Sequence, residues 1–392
     1  MREGWTYKKL GEVAFYSTSR VSSSSLDETN YVGVDNLLKD RKGKIDSTVV
    51  PVEGNCIGYK CGDILVGNIR PYLKKIWLAN NDGGASGDVL VIRANNHQEL
   101  HPDFLYWALS NDAFFEYNML HSKGAKMPRG NKVDILKYIV PVPPLSEQQS
   151  IVAELDKINE LISLKKAQLS DLDSLAQSIF YDMFGDPIEN EKGWEYLKLQ
   201  TLIDNYIIIY HLDGNHGGDY PRSEEFVDRG VPYIGANCLN DGSVDFSLAK
   251  YLPKEKADKL RKGLAKNGDV LFAHNATVGP VAFLNTKEPL VILSTSLTAF
   301  RCNLEKMHPL FLRSYMQSTW FESQYKSAMK QTTRNQIPIT KQKNMFFICP
   351  PLPLQQEFAK RIELIEQQKA QISSTIKDLE TLLASRMQYW FD

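Results

Sequence analysis

Several kinds of segment are missing from this chain of 392 residues, and each absence removes a class of function. No apolar run approaches the roughly 20 residues of a membrane-spanning helix; "YIIIY" at 206–210 is among the longest. The opening "MREGWTYKKLGEV" has no apolar signal-peptide core, so a cytoplasmic protein is expected. Cysteine is scarce: Cys56, Cys61, Cys238, Cys302 and Cys349 are odd in number and form no CxxC pair. Buried free thiols are expected rather than a disulfide framework or a zinc site. No two glycines are spaced as GxG, and GxxxxGK followed by Ser or Thr, HExxH and GxSxG are absent. Asn-Pro-Pro and Asp-Pro-Pro, the usual amino-methyltransferase loops, are absent too. These gaps argue against an enzyme or a resident cofactor. A basic excess is also lacking: 46 Lys and Arg face 47 Asp and Glu, for a net charge of −1 and a pI near 6.7. A wholly basic nucleic-acid binder is excluded, so any DNA-binding surface must be local.

What is present is a repeat. Hydrophobic content of 43% with 24% charged residues suits well-cored domains, and the length suits two of them. "GW" at Gly4 returns at Gly193, "YVGVDN" at Tyr31 as "YIGAN" at Tyr233, and "GDILV" at Gly62 as "GDVLF" at Gly268. "HPDFL" at His101 returns as "HPLFL" at His308, and the "PPL…QQ" of Pro143 at Pro350. The order is kept and the offset only grows, as insertions in a second copy would produce. Within each copy "DILVGNI" and "VLVIRA", or "DVLFAHN" and "VILSTSLTAF", read as strands. "HPDFLYWALSNDAFFEYNML" and "HPLFLRSYMQSTWFESQYKSAM" read as amphipathic helices whose aromatics belong to the core. Asp63 and Asp269, each just before a strand, read as turn residues rather than catalytic acids.

Each copy closes with a pattern close to forty residues long. Positions 151, 155, 158, 162, 165, 169, 172, 176, 179 and 183 form a heptad seam with Lys165 its one charge. The second seam, Phe358 to Trp390, is interrupted by Lys369 and Arg386. Ser146 with Gln149 is read as a capping box, and Pro353 as the first helical residue of the second helix. Connectivity makes the intramolecular pair antiparallel and brings Phe391 near Gly4 and Trp5. At about 1.5 Å per residue the rod is roughly 50 Å long. The expected fold class is α/β (α+β): two similar domains joined by two long helices in an antiparallel intramolecular coiled coil with pseudo-twofold symmetry. The expected boundaries are 1–145, 146–185, 186–352 and 353–392.

Charge distribution nominates the surface. No acid lies between Glu116 and Asp134, where "SKGAKMPRGN" carries Lys123, Lys126, Arg129 and Asn131. None lies between Glu322 and Glu357, where "KQTTRNQ" carries Lys330, Arg334, Asn335 and Gln336. These side-chain types reach phosphates and base edges. A solvated charged loop is the competing reading of either stretch alone; recurrence at matching positions favours function. Two loops after the paired strands join the candidates: "GNIRPYLKK" with Asn68, Arg70, Tyr72 and Lys74, and "HNATVGP" with His274, Asn275 and Thr277. A third, "HLDGNHGGDYPR", supplies His216, Tyr220 and Arg222 and reads as a flexible polar contact loop. His211, His216, Asp213 and Asp219 match no standard metal-ligand spacing.

The chain resembles the specificity subunit of type I restriction–modification systems. The likeness rests on the "GW…KLGEV" and "KLQTL" copies, on "PPLSEQQ" and "PPLPLQQ", on "SLAQSIFYDMFGDP", and on "DGNHGGDYPR" followed by "GVPYIGANCLNDG". It implies two target recognition domains separated by two helical conserved regions, together reading a split sequence in double-stranded DNA. It further implies two methyltransferase subunits bound along the helices, with a restriction and helicase subunit adding cleavage. Catalysis, S-adenosylmethionine and ATP would belong to those partners. Two other readings stay open: a coiled-coil adaptor with protein-binding end domains, and a cryptic nuclease or methyltransferase.

Overall fold

A computed structural model describes residues 2–214, 220–329 and 335–391. The chain packs into two units, one of Met1–Ala167 with Ser373–Asp392, the other of Gln168–Ile372.

In the first unit, Thr6–Lys9 pairs antiparallel with Ile139–Val142. A four-stranded sheet runs in the order Ala14–Tyr16, Val89–Ala94, Ile64–Gly67, Ile76–Leu78. A second sheet runs Arg20–Ser22, Asn55–Tyr59, Gly83–Ala85, Tyr31–Val32, its last pair parallel. The second unit repeats the first sheet strand for strand as Ile208–Asp213, Leu297–Cys302, Val270–Asn275, Thr277–Phe283. Its other sheet keeps the parallel pair, here Val231–Ile234 with Val291–Leu293, but Lys250–Leu252 lies beside Val231–Ile234. In the first unit the fourth strand sits on the opposite edge, beside Asn55–Tyr59. "VILSTSLTAF" is thus two strands, Val291–Leu293 in one sheet and Leu297–Cys302 in the other. The serines between them turn the chain: the Ser296 amide donates to Ser294 Oγ at 3.3 Å.

The repeated "GD" has a structural cause. Gly62 and Gly268 turn with positive φ, 87° and 92°, before each strand. The following Asp63 and Asp269 are buried, and each accepts a two-pronged pair from an arginine one strand away. Arg93 reaches Asp63 at 2.7 and 2.6 Å, and Arg301 reaches Asp269 at 2.7 and 2.8 Å. Removing one partner of such a buried pair costs about 3–5 kcal/mol. The turn reading therefore holds, with a buried ion pair added to it.

Each aromatic segment is two helices rather than one: Pro102–Leu109 then Asp112–Leu120, and Pro309–Met316 then Thr319–Met329. Asn111 makes the break in the first, its side chain accepting the Phe114 amide at 2.7 Å to cap a new helix. Phe104, Trp107, Phe114, Phe311 and Phe321 are core residues; Trp320 is half-buried against Tyr196. Cys56, Cys238 and Cys302 are buried free thiols, whereas Cys61 is exposed and Cys349 half-buried.

The long helices span Leu145–Phe184 and Leu352–Phe391. Ser146 does not form the expected capping box: the helix starts one residue earlier, leaving Ser146 exposed inside the first turn. Pro353 likewise follows the first helical residue, Leu352. Gln148, not Gln149, is the informative glutamine. Fully buried, it accepts the His101 amide at 2.8 Å and donates to the Glu99 and Pro143 carbonyls at 2.7 and 2.8 Å. Gln355 does the same in the second copy, accepting the His308 amide at 2.9 Å and donating to Pro350 at 2.7 Å.

The seam is buried at Ile151, Leu155, Ile158, Ile162 and Leu172, and at Phe358, Ile362, Ile365, Ile372 and Ile376. Its charges are paired rather than idle. Lys369 meets Asp173 at 2.5 Å, and Arg386 with Trp390 binds Glu154, the latter two contacts at 3.0 Å. Glu154 pairs with Arg386 and, further along the first helix, Lys166 with Glu380, so the partner number falls as the first rises and the coiled coil is antiparallel. The Arg386 hydrogen bond draws the Glu154 carboxyl below its ordinary 4.5. Near the end of the first helix the buried face moves one residue on, to Phe180 and Phe184 rather than Ile179 and Met183. There the helix meets a domain core as well as its partner, whose Phe358 lies 5.3 Å from Phe184. Phe184 packs on Phe311 at 4.8 Å, and its repeat mate Phe391 on Phe104 at 5.5 Å. Trp5 stacks on Trp390 at 6.3 Å and 7°, and Arg2 lies 4.2 Å over Tyr389, as the antiparallel path requires.

Replacing Gln148 with Ala strands a buried amide and two carbonyls, so chemical denaturation should show a loss of about 1–3 kcal/mol. The exposed neighbour Gln149→Ala should stay within about 0.5 kcal/mol of the parent.

Candidate nucleic-acid interface

The loops that the sequence nominates separately meet in space. In the first unit, the segment leaving Ile64–Gly67 pairs with the acid-free stretch: Ile69 bridges Arg129, and Arg129 in turn bridges Lys123. The Arg70 amide donates to the Pro128 carbonyl at 2.7 Å, and the Gly130 amide to the Asn68 carbonyl at 3.1 Å. The second unit repeats these bonds. Asn275 bridges Gln336, the Ala276 amide donates to Asn335 at 3.0 Å, and the Ile337 amide to His274 at 2.8 Å. Two strand exits and two polar stretches are therefore two copies of one bridged device.

Beneath each bridge lies a buried polar support. His274 Nδ1 lies 3.1 Å from the Ile337 carbonyl. Gln342, fully buried, donates to Ile337 at 3.1 Å and to Thr298 Oγ1 at 3.0 Å, and accepts from His211 Nε2 at 3.1 Å. His211 is not a loop residue: it belongs to the strand Ile208–Asp213 and packs on Phe300 at 4.7 Å. Burial pushes its imidazole down to about 4, against the Gln342 hydrogen bond, so it is neutral at physiological pH. The equivalent strand position in the first unit holds Tyr16, whose hydroxyl donates to the Lys132 carbonyl at 2.9 Å. Both units thus tie the helix after the polar stretch to the same strand. Among the described residues no cluster of three His, Cys, Asp or Glu gathers to hold a metal. No helix among them is long and apolar enough to cross a membrane.

The candidate side chains sort by environment. Arg70, Tyr72, Lys123, Lys126, Arg129, Tyr220, Arg222, Thr277 and Asn335 are exposed. Lys74 is half-buried and shares Asp112 with Arg41, at 2.7 Å for the lysine. Arg129 reaches Asp88 at 3.4 Å. Asn131 caps the short helix Lys132–Ile135 by accepting the Val133 amide at 3.0 Å. Asn68 and His274 are buried under the bridges, and Asn275 and Gln336 are half-buried within theirs. His216, Lys330 and Arg334 lie outside the described residues. Sequence reading missed Gln342, whose repeat counterpart is the apolar Ile135, so no repeat signal marks it. It also missed Asn118, a fully buried polar residue on an otherwise amphipathic helix.

Known proteins resemble this chain over most of its length. The family pattern of the type I restriction modification DNA specificity domain matches residues 2–173 and 192–381. The type I restriction enzyme MjaVIII specificity subunit of Methanocaldococcus jannaschii is 21% identical, over 97% of this chain and 92% of its own. The EcoDI specificity subunit of Escherichia coli is 27% identical over 46% of this chain and 41% of its own. Among solved structures, the type I restriction–modification S subunit from M. genitalium superposes with a TM-score of 0.57 at 15% identity, covering 98% of this chain and 95% of that one. A chain from a study of assembly and conformational transition of a type I restriction–modification system gives 0.56 at 21% identity, covering 100% and 98%.

Two outcomes test the supports. A methyl group at Gly130 would lie 2.1 Å from Asn118 Oδ1 and 2.7 Å from Asn68 Oδ1. Gly130→Ala should cost about 1–3 kcal/mol of stability by denaturant titration. His211 has a lowered folded pKa, so the unfolded chain takes up a proton that the folded one refuses between pH 6.5 and about 4. Stability should therefore fall as pH drops through that window. His211→Gln should flatten this part of a melting-temperature profile.

Proposed function

The chain belongs to the type I restriction modification DNA specificity family, and we propose that it reads a two-part DNA target as the non-catalytic subunit of a restriction–modification complex. The observation that carries this reading is the bridged two-loop device, built with the same backbone bonds in both units. Residues 1–145 and 186–352 are the two recognition domains, each taking one half-site. Residues 146–185 and 353–392 are the helical spacer, which sets the gap and docks two methyltransferase subunits. Those partners, with a restriction and helicase subunit where one is present, supply methylation and cleavage.

The side chains proposed to meet DNA in the first domain are Arg70, Tyr72, Lys123, Lys126 and Arg129, with Lys74 held back by Asp112. Tyr220, Arg222, Asn275, Thr277, Asn335 and Gln336 do so in the second, with His216, Lys330 and Arg334 proposed beside them from the sequence alone. Asn68, Asn131 and His274 are positioning residues. Phosphate contacts by the lysines supply affinity, and base edges supply choice. A few base contacts per domain suffice, each worth about 1–3 kcal/mol of discrimination.

The test is a chimera. Exchanging residues 190–349 for the same region of a relative should change one half-site only, read by sequencing methylated DNA from cells. The other half and the gap should persist. Loss of both halves together, or a moved gap with intact helices, would contradict the modular reading. Binding should weaken steeply with salt, as counterion release demands.

A further inference from the structure

One backbone feature recurs in both bridged devices and is occupied by different chemistry in each. Arg70 adopts φ 52° and ψ 65°, and its counterpart Ala276 adopts φ 64°. Neither is glycine, although the left-handed region costs a side-chain-bearing residue of order 1–3 kcal/mol. Such a conformation persists only where the surroundings over-determine it, and here they do. Each residue's amide donates to the returning segment, and the residue two before accepts from it. The chain must therefore turn left-handed at this point in both units.

The turn leaves residue 70 exposed beside the bridge. Three nearby cations are held by carboxylates: Arg41 and Lys74 by Asp112, and Arg129 by Asp88. Among the described residues, the Arg70 guanidinium makes no ion pair. A planar cationic fork, fixed at its root by a strained backbone and paired with no carboxylate among the described residues, suits a bidentate acceptor outside the protein. Guanine presents such a pair in the major groove, O6 and N7.

We propose that residues 70 and 276 are equivalent specificity positions, and that Arg70 reads a guanine in the half-site of the first domain. Ala276 withholds that contact from the second, so the two nearly identical bridges read different bases. The inference rests on the reading of the chain as a DNA-recognition subunit.

The experiment is selection from a random double-stranded DNA library by the full-length chain and its variants. The parent defines both half-sites, and the domain chimera assigns each to its domain. Arg70→Ala should relax one G·C position in the first half-site, lowering the preference there about 10- to 100-fold. The second half-site and the gap should be unaltered. Arg70→Gly should do the same while its melting temperature stays at or above the parent's, since glycine accepts the left-handed turn. Loss of preference therefore cannot be charged to unfolding. Arg70→Lys keeps the charge but not the fork, so it should lose the preference while keeping the parent's salt dependence. Retention of every base preference in Arg70→Ala overturns the proposal. So does a uniform loss of affinity across all sequences, which marks a phosphate contact. If the parent itself selects no sequence, it is the functional reading that fails.

Discussion

An uncharged carboxamide, buried at the root of each long helix, is the contact on which the rest of the structure depends. Gln148 and Gln355 each satisfy an amide at the start of an aromatic helix and a carbonyl of the proline turn. Buried backbone groups of this kind need partners, and at a helix root neither helix nor sheet can supply them. One side chain therefore fixes the direction in which each long helix leaves its domain. Hydrophobic burial along the seam is non-directional and would tolerate rotation of the helix about its axis. The glutamine removes that freedom.

The distribution of charge explains how a chain of net charge −1 presents a local patch of exposed cations. Five acids hold the fold: Asp63 and Asp269 behind the sheets, Glu154 and Asp173 along the helix pair, Asp112 under the strand-exit loop. Each consumes one or more cations. The acid-free stretches leave Lys123, Lys126 and Arg129 exposed, with the exposed Arg70 beside them. Local rather than net charge decides the matter, because screening confines each field to about 10 Å.

The sequence by itself determined a good deal. The repeat, the strand pairs, the two long helices and their antiparallel path follow from ordered word matches, heptad spacing and connectivity. Helical and strand periodicities are local properties, and the antiparallel direction is forced by one chain visiting two domains. Candidate loops were legible too, through the absence of acids, since solvated charge is visible residue by residue.

Tertiary structure decided the rest. That "GNIRPYLKK" meets "SKGAKMPRGN", and "HNATVGP" meets "KQTTRNQ", depends on hydrogen bonds between backbones about sixty residues apart, which no side-chain pattern encodes. The break at Ser110–Asn111, invisible to apolar periodicity, follows from a side-chain cap. Asn131 and Lys74 read as solvent-facing polar residues, yet one caps a helix and the other binds Asp112. His211 reads as a loop histidine and is a buried strand residue. In each case composition fixed the chemical type of the side chain. Its role was settled by which groups packing brought within about 3 Å, because hydrogen bonding and desolvation act only at contact.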